Sequence, residues 1–154
     1  MKRNGFTLVE LLVVITIISV LSIVTVAQFQ TAKKKANDVA RKGDLNATSK
    51  ALQMYFNDYG KFPDQAAIVW GTVFQDSATP PYVYMAKLPK ENYTTTPYYY
   101  QVSADGKKYA LFAKLENIVD RECTGSYVLN TKTYCYAITS PNTSLTSLSD
   151  ATFK

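Results

Sequence analysis

The sequence predicts an α+β protein: a long N-terminal α-helix, apolar in its first half and amphipathic in its second, packed on a small antiparallel β-sheet. Three observations carry that expectation. From Leu11 to Ala32 there is no charged residue, proline or glycine. Between Phe6 and Tyr59 there is no proline and a single glycine, Gly43, so nothing stops a helix before Gly60-Lys61-Phe62-Pro63. Beyond that point the pattern changes to short tyrosine-rich and β-branched runs divided by turn residues. With 154 residues, 47% of them hydrophobic and 19% charged, the chain has room for one folded domain and an anchor, not two domains.

The first element is the apolar one. The 22 residues Leu11–Ala32 make a helix about 33 Å long, enough to cross the hydrocarbon core of a bilayer. Residues 6–32 are therefore read as a membrane or bundle-core helix and 33–60 as the amphipathic half of the same helix. In that half Leu45, Thr48, Leu52, Tyr55, Phe56 and Tyr59 recur at helical spacing and form the stripe expected to face a sheet. Asp44, Lys50 and Asp58 fall on other faces. Gly60 suits the helix C-terminus and Pro63 forbids continuation.

Residues 61–154 form the globular part. Residues 64–92 read as irregular, with Thr79-Pro80-Pro81 and Leu88-Pro89 as breakers. Trp70, Val73 and Phe74 are expected to pin this loop to the core or to face a neighbouring subunit. Tyr98–Val102 and Lys108–Leu115 read as strands joined by an Asp105-Gly106 turn. Tyr109, Leu111, Ala113 and Leu115 share the face that should cover the helix. A third and a fourth strand are expected within Gly125–Ile138, turning at Asn130-Thr131-Lys132, for a sheet of about four strands. The Ser/Thr-rich tail from Ser140 reads as exposed and loosely ordered.

Several chemistries are excluded. The chain has no histidine, which removes Ser-His-Asp and Cys-His catalysis and most zinc enzymes. It has no glycine-rich phosphate loop and no carboxylate pair at catalytic spacing, so no enzyme is expected. A net charge of +5 is too small an excess to indicate nucleic acid as a partner. Cys123 and Cys135, the only cysteines, read as one disulfide closing a hairpin or loop in an oxidising compartment, the alternative being two free thiols.

Glu10 is the residue that ordinary readings fail to explain. A secretory signal has a shorter apolar core, roughly 7–15 residues, and Val24-Thr25-Val26-Ala27 is a poor cleavage sequence. A single-span anchor accounts for the length and for the Lys2/Arg3 flank, which would keep the N-terminus cytoplasmic. It accounts neither for a carboxylate just inside the apolar run nor for Gly5 before it.

The run Gly5-Phe6-Thr7-Leu8-Val9-Glu10, continued by Leu11-Leu12-Val13-Val14-Ile15, closely resembles the N-terminus of type IV prepilins and type II secretion prepseudopilins. The resemblance implies that a membrane-embedded prepilin peptidase cuts between Gly5 and Phe6, removes residues 1–5 as a leader and methylates the new amine of Phe6. It implies a homo-oligomeric helical filament, in which Glu10 neutralises the Phe6 amine of a neighbouring subunit. It also implies an inner-membrane assembly platform and an assembly ATPase as partners. The chain would sit in the cytoplasmic membrane before assembly, with its globular part outside, and then in an extracellular or periplasmic filament. Physical chemistry agrees with that pairing: an amine and a carboxylate are tolerated in an apolar bundle as a pair, and a lone buried charge can set register.

The stretch Asp44-Leu45 to Phe62-Pro63, and the hairpin followed by Glu116-Asn117, resemble major pseudopilins of the type II secretion system. The late cysteine pair resembles the disulfide-bounded loop of many pilins. Surface pilus and secretion pseudopilus therefore remain alternatives, as does a monomeric membrane-anchored extracytoplasmic binding domain, which would keep Lys2 and Arg3. Many relatives carry a helix breaker in the first half of this helix; Leu21–Gln30 has none, and Gly43 is the one weak point. Major pseudopilins bind calcium in a C-terminal loop. Asp120 and Glu122 invite the same reading here, but their spacing does not match well, and no metal or other cofactor is expected. Lys33-Lys34-Lys35 with Arg41-Lys42 read as a solvated helix face near a membrane surface, the alternative being contact with acidic headgroups or neighbouring subunits.

Overall fold

A computed structural model of the chain describes residues 5–123, 125–141 and 143, and for 23–27 it describes backbone only. The leader residues Lys2 and Arg3, the side chains of Val24–Ala27 and the tail from 144 onward lie outside the described residues. The chain divides into two units, Met1–Ala36 and Asn37–Lys154. One helix, α1 (Leu8–Tyr59), contributes to both.

In the first unit the apolar side chains have no cover of their own. Those of Leu8 to Leu21 are 44–79% exposed. The polar side chains among them turn inward on the helix: the hydroxyls of Thr16, Ser19 and Ser22 donate to the carbonyls of Val13, Ile15 and Ile18 at 2.7–2.8 Å. Such back-bonding satisfies the hydroxyls without water. Among the described residues no helix is long and apolar enough to cross a membrane. The sequence run that reaches that length, Leu11–Ala32, includes the undescribed side chains of 23–27.

In the second unit the helix stripe is buried where expected at Leu45, Thr48 and Leu52, joined by Ala51. Tyr55 and Phe56 are half-buried, and Tyr59 is exposed, contrary to its place in the stripe. Tyr59 stacks on Tyr55 and donates its hydroxyl to Asp76. The helix stops at Gly60, whose φ of +64° is in the left-handed region and whose N–H donates to the Phe56 carbonyl.

The region 64–92 is more regular than its composition suggests. A 3-10 turn (Gln65–Ala67) leads to β1 (Phe74–Gln75) and β2 (Val83–Met85), an antiparallel pair. Phe74 is buried and Trp70 sits edge-on to Tyr98, as expected, but Val73 points to solvent. The main sheet has three strands, not four, in the order β3 (Tyr99–Val102), β4 (Tyr109–Ala113), β7 (Tyr136–Thr139), all antiparallel. Strands β5 (Tyr127–Leu129) and β6 (Lys132–Tyr134) form a separate hairpin. Both edges of β4 are taken by β3 and β7, and the hairpin does not join that sheet.

It covers the second face of β4 instead. Tyr109, Leu111 and Ala113 join the helix residues in one core, as expected, while Ala110 and Phe112 form another with Tyr127, Leu129 and Tyr134. A strand buried on both faces reads as Tyr-Ala-Leu-Phe-Ala without alternation. Ser140 is also buried: its N–H donates to the Tyr109 carbonyl, and its Oγ accepts the Tyr109 N–H. The loosely ordered tail therefore does not begin there.

Tyrosine hydroxyls lock this unit together. Tyr98 donates to Asp44 and Tyr84 to Asp58, both at 2.7 Å, and Tyr100 donates to the Pro63 carbonyl. Buried tyrosines supply apolar area along the ring and a directed bond at the tip. Burial and the nearby carboxylates of Asp44 and Asp58 hold the Tyr98 and Tyr84 hydroxyls well above the ordinary phenol range.

Candidate processing and assembly site

Gly5 and Phe6 precede the helix. Both are exposed, no atom of the described residues lies near the position a Gly5 side chain would occupy, and Phe6 is 75% exposed. The bond between them lies outside α1, in exposed, non-helical chain.

The helix begins one residue after Thr7 by a reciprocal arrangement. The Thr7 N–H donates to Glu10 Oε2 at 2.8 Å, the Thr7 hydroxyl donates to the same oxygen at 2.7 Å, and the Glu10 N–H donates to Thr7 Oγ1 at 3.2 Å. This is a capping box, and it satisfies two N–H groups that no helix can bond internally. Thr-x-x-Glu before an apolar run is its sequence signature, which a reading centred on the glutamate's charge passes over. Glu10 is thereby aimed along the start of its own helix. Oε1 takes no hydrogen bond among the described residues. Glu10 thus has a neutral partner within the chain, and one carboxylate oxygen left for a cation.

A second constellation lies in the other unit. Arg41 is completely buried, and Lys42 is largely so. The solvated face expected here therefore holds only for Lys33–Lys35, which are exposed. Arg41 meets three carboxylates: Asp38 at 2.6 Å, Glu116 at 2.7 Å and Glu91 through two bonds at 3.0 and 3.3 Å. It also lies over the Tyr93 ring. Each acid is bonded further. Asp38 accepts the N–H groups of Glu116 and Asn117, and Glu91 accepts those of Tyr93 and Thr94. Burial opposes the Arg41 charge, but bonds to Glu91, Glu116 and Asp38 outweigh it and hold the guanidinium above its ordinary range.

This burial was legible in part. Stepping back from Leu45 by four and then three residues continues the core stripe through Arg41 and Asp38. What the residue types conceal is that their partners arrive from 50 and 75 residues away.

Next to this cluster, Lys42 Nζ is held by Asp120 at 2.8 Å and by Glu122 at 2.5 Å. The two carboxylates considered for calcium thus converge on an internal ammonium. Among the described residues no group of three or more His, Cys, Asp or Glu side chains is placed to hold a metal ion. Cys123 and Cys135 are joined as a disulfide, their Cα atoms 4.8 Å apart, closing the loop that carries the β5–β6 hairpin.

The family described as "Prokaryotic N-terminal methylation motif" matches residues 1–26. The chain is 41% identical over 69 residues to the type IV wide pilus major component PilA4 of Thermus thermophilus, covering 44% of this chain and 53% of that protein. It is 36% identical over 62 residues to the type II secretion system core protein G of Pseudomonas aeruginosa, covering 40% and 44%. It is 35% identical over 79 residues to core protein G of Klebsiella pneumoniae, covering 51% and 56%. The chain thus spans about half the length of the curated relatives it matches. No solved structure matches it. Over that half, and in its N-terminal methylation motif, the chain is similar to type IV pilins and type II secretion pseudopilins.

Proposed function

We propose that the chain is the precursor of a structural subunit of a type IV pilus-like helical filament. It is cleaved after Gly5, methylated at Phe6 and polymerised through its apolar helix. One observation carries this reading: an open Gly5–Phe6 bond leads directly into a helix whose described apolar side chains, Leu8 to Leu21, are all exposed. Such a surface demands a partner, first lipid and then the same helix of other copies. Moving it from lipid into a bundle gains packing more than hydrophobic free energy, so assembly depends on shape and on the Glu10 pair. Cutting at Gly5 creates an amine on Phe6, and the helix N-terminus adds to its positive field. Glu10 of a neighbouring copy answers that charge.

The partners that follow are a prepilin peptidase, an inner-membrane assembly platform and an assembly ATPase. The subunit sits in the inner membrane with its globular part outside, then in the filament. Several relatives are core protein G of type II secretion systems, which favours a second reading, the major pseudopilin of such a system. Electron microscopy of cells separates the two, since only the pilus reading places filaments on the surface.

Intact-mass measurement of the chain produced with its peptidase tests the core of the proposal. The expected mass lacks residues 1–5 and carries one added methyl group, and Gly5→Val is expected to accumulate as uncut precursor. A mature protein that keeps Lys2 and Arg3 overturns the filament reading in favour of a monomeric anchored domain.

A further inference from the structure

The segment Asn117–Asp120 is a turn built from the wrong residues. The Asp120 N–H donates to the Asn117 carbonyl at 3.0 Å, which places Ile118 and Val119 at the two central positions. Those positions ordinarily hold glycine, proline, asparagine, aspartate or serine. Here two aliphatic side chains are 81% and 84% exposed, the most exposed large apolar side chains among the described residues. Nor is the turn free to fold them away. The N–H groups of Glu116 and Asn117 are bonded to buried Asp38, and Asp120 is gripped by Lys42. The ionic cluster of the helix therefore holds the aliphatic pair outward.

We propose that this turn is a lipid contact. Before assembly, Ile118 and Val119 enter the headgroup boundary of the anionic bilayer in which the chain is anchored. This rests on the membrane-anchored reading above. Chain connectivity supports it: Asp38 lies six residues beyond Ala32, where the apolar run ends, and six residues reach at most about 20 Å even fully extended. Asp38, to which this loop is bonded, is therefore within about 20 Å of chain from the end of the apolar run.

The flanks have the matching chemistry. Lys114 and Arg121 on either side of the turn are exposed. Asp120 and Glu122 are engaged by Lys42, and Glu116 by Arg41. An apolar tip with basic neighbours is the pattern of interfacial membrane contact. Two side chains are also too small a patch to form a stable protein interface alone, which needs about 800 Å² per partner.

The test uses the full-length precursor in vesicles of phosphatidylethanolamine and phosphatidylglycerol. Single variants Ile17→Cys, Val119→Cys and Val83→Cys carry an environment-sensitive fluorophore; the native cysteines are tied in their disulfide. Val83 is exposed in β2, at the Tyr59 end of the unit. Lipids brominated at shallow and deep acyl positions are then added. The expected result is loss of emission at 17 and 119 and none at 83, with the loss at 119 reduced when phosphatidylglycerol is replaced by a zwitterionic lipid. Quenching at 17 with position 119 behaving like 83 overturns this inference and leaves the anchor standing. Absence of quenching at 17 overturns the anchored reading and this one with it. Shielding of 119 only after polymerisation makes a second copy the occupant and equally overturns the lipid contact.

Discussion

Before Ala36, α1 exposes leucine, isoleucine and valine and folds the hydroxyls of Thr16, Ser19 and Ser22 onto its own backbone; after Asn37 it buries an arginine and an aspartate and exposes Val39 and Met54. One helix thus treats polarity in two opposite ways. The difference is where each surface finds its partner. Among the described residues the first unit has no core of its own, and on the proposed filament reading lipid or other copies cover its apolar side chains. In the second, every charge the helix buries is met from within the chain, by Glu91, Glu116 and the backbone amides around them. Exposed apolar surface in one chain marks an interface, and buried charge marks an internal joint.

The comparison is broken most severely at Glu10. Replacing it with alanine is expected to leave membrane insertion and cleavage largely intact and to abolish filaments, because the Phe6 amine of each added copy then has no counter-charge. Thermal unfolding of the second unit should not change. Abundant filaments from this variant, seen by electron microscopy, would show that the carboxylate has no registering role.

Arg41→Ala is the corresponding break in the second unit. It leaves Asp38 and Glu91 buried without their cation, a loss expected to cost about 3–5 kcal/mol by analogy with other broken buried pairs. Denaturant unfolding of the full chain in detergent measures it. A loss below about 1 kcal/mol, the range of exposed pairs, would mean that water reaches the cluster.

The Lys42–Asp120 pair sharpens the contrast through pH. The Lys42 ammonium and the Glu122 N–H hold the Asp120 carboxyl below its ordinary 3.8. Its contribution is therefore complete above that value and is lost as pH falls further. Burial opposes the Lys42 charge, but Asp120 and Glu122 outweigh it and hold the ammonium above 10.5. That contribution is complete below 10.5 and is lost as pH rises past the shifted value. Amide exchange of Glu122 is expected to be slow across the middle range and to quicken, relative to unstructured controls, at both ends. The smallest effect belongs to Val73→Ser, at a side chain open to solvent: a change within about 0.5 kcal/mol, read by the same denaturant titration.

Much of the second unit was legible because its signals are local. The Leu45, Thr48, Leu52 spacing, Gly60 before Pro63 and the Asp105-Gly106 turn each depend on a few neighbouring residues. The β1–β2 pair was hidden because two- and three-residue strands carry no periodicity. Tyr59 shares the spacing of the stripe, yet nothing in the spacing tells that it stays exposed. The Thr7–Glu10 capping box is written in the Thr-x-x-Glu spacing itself, whose hydrogen bonds a reading by charge does not register.

By itself the sequence determines the helix, its apolar run, the Gly5-Phe6 motif with Glu10, and the strands β3 and β4. Helix propensity, side-chain period and turn chemistry act over a few residues and can be read in order along the chain. The spacing places Arg41 and Asp38 on the core stripe; tertiary structure alone decided which remote carboxylates and amides meet them, that β4 is covered on both faces, and that Lys42 takes Asp120 and Glu122. A charged side chain goes inside only where segments remote in sequence bring enough opposite charge and hydrogen-bond donors to offset desolvation, and no local pattern records that arrival.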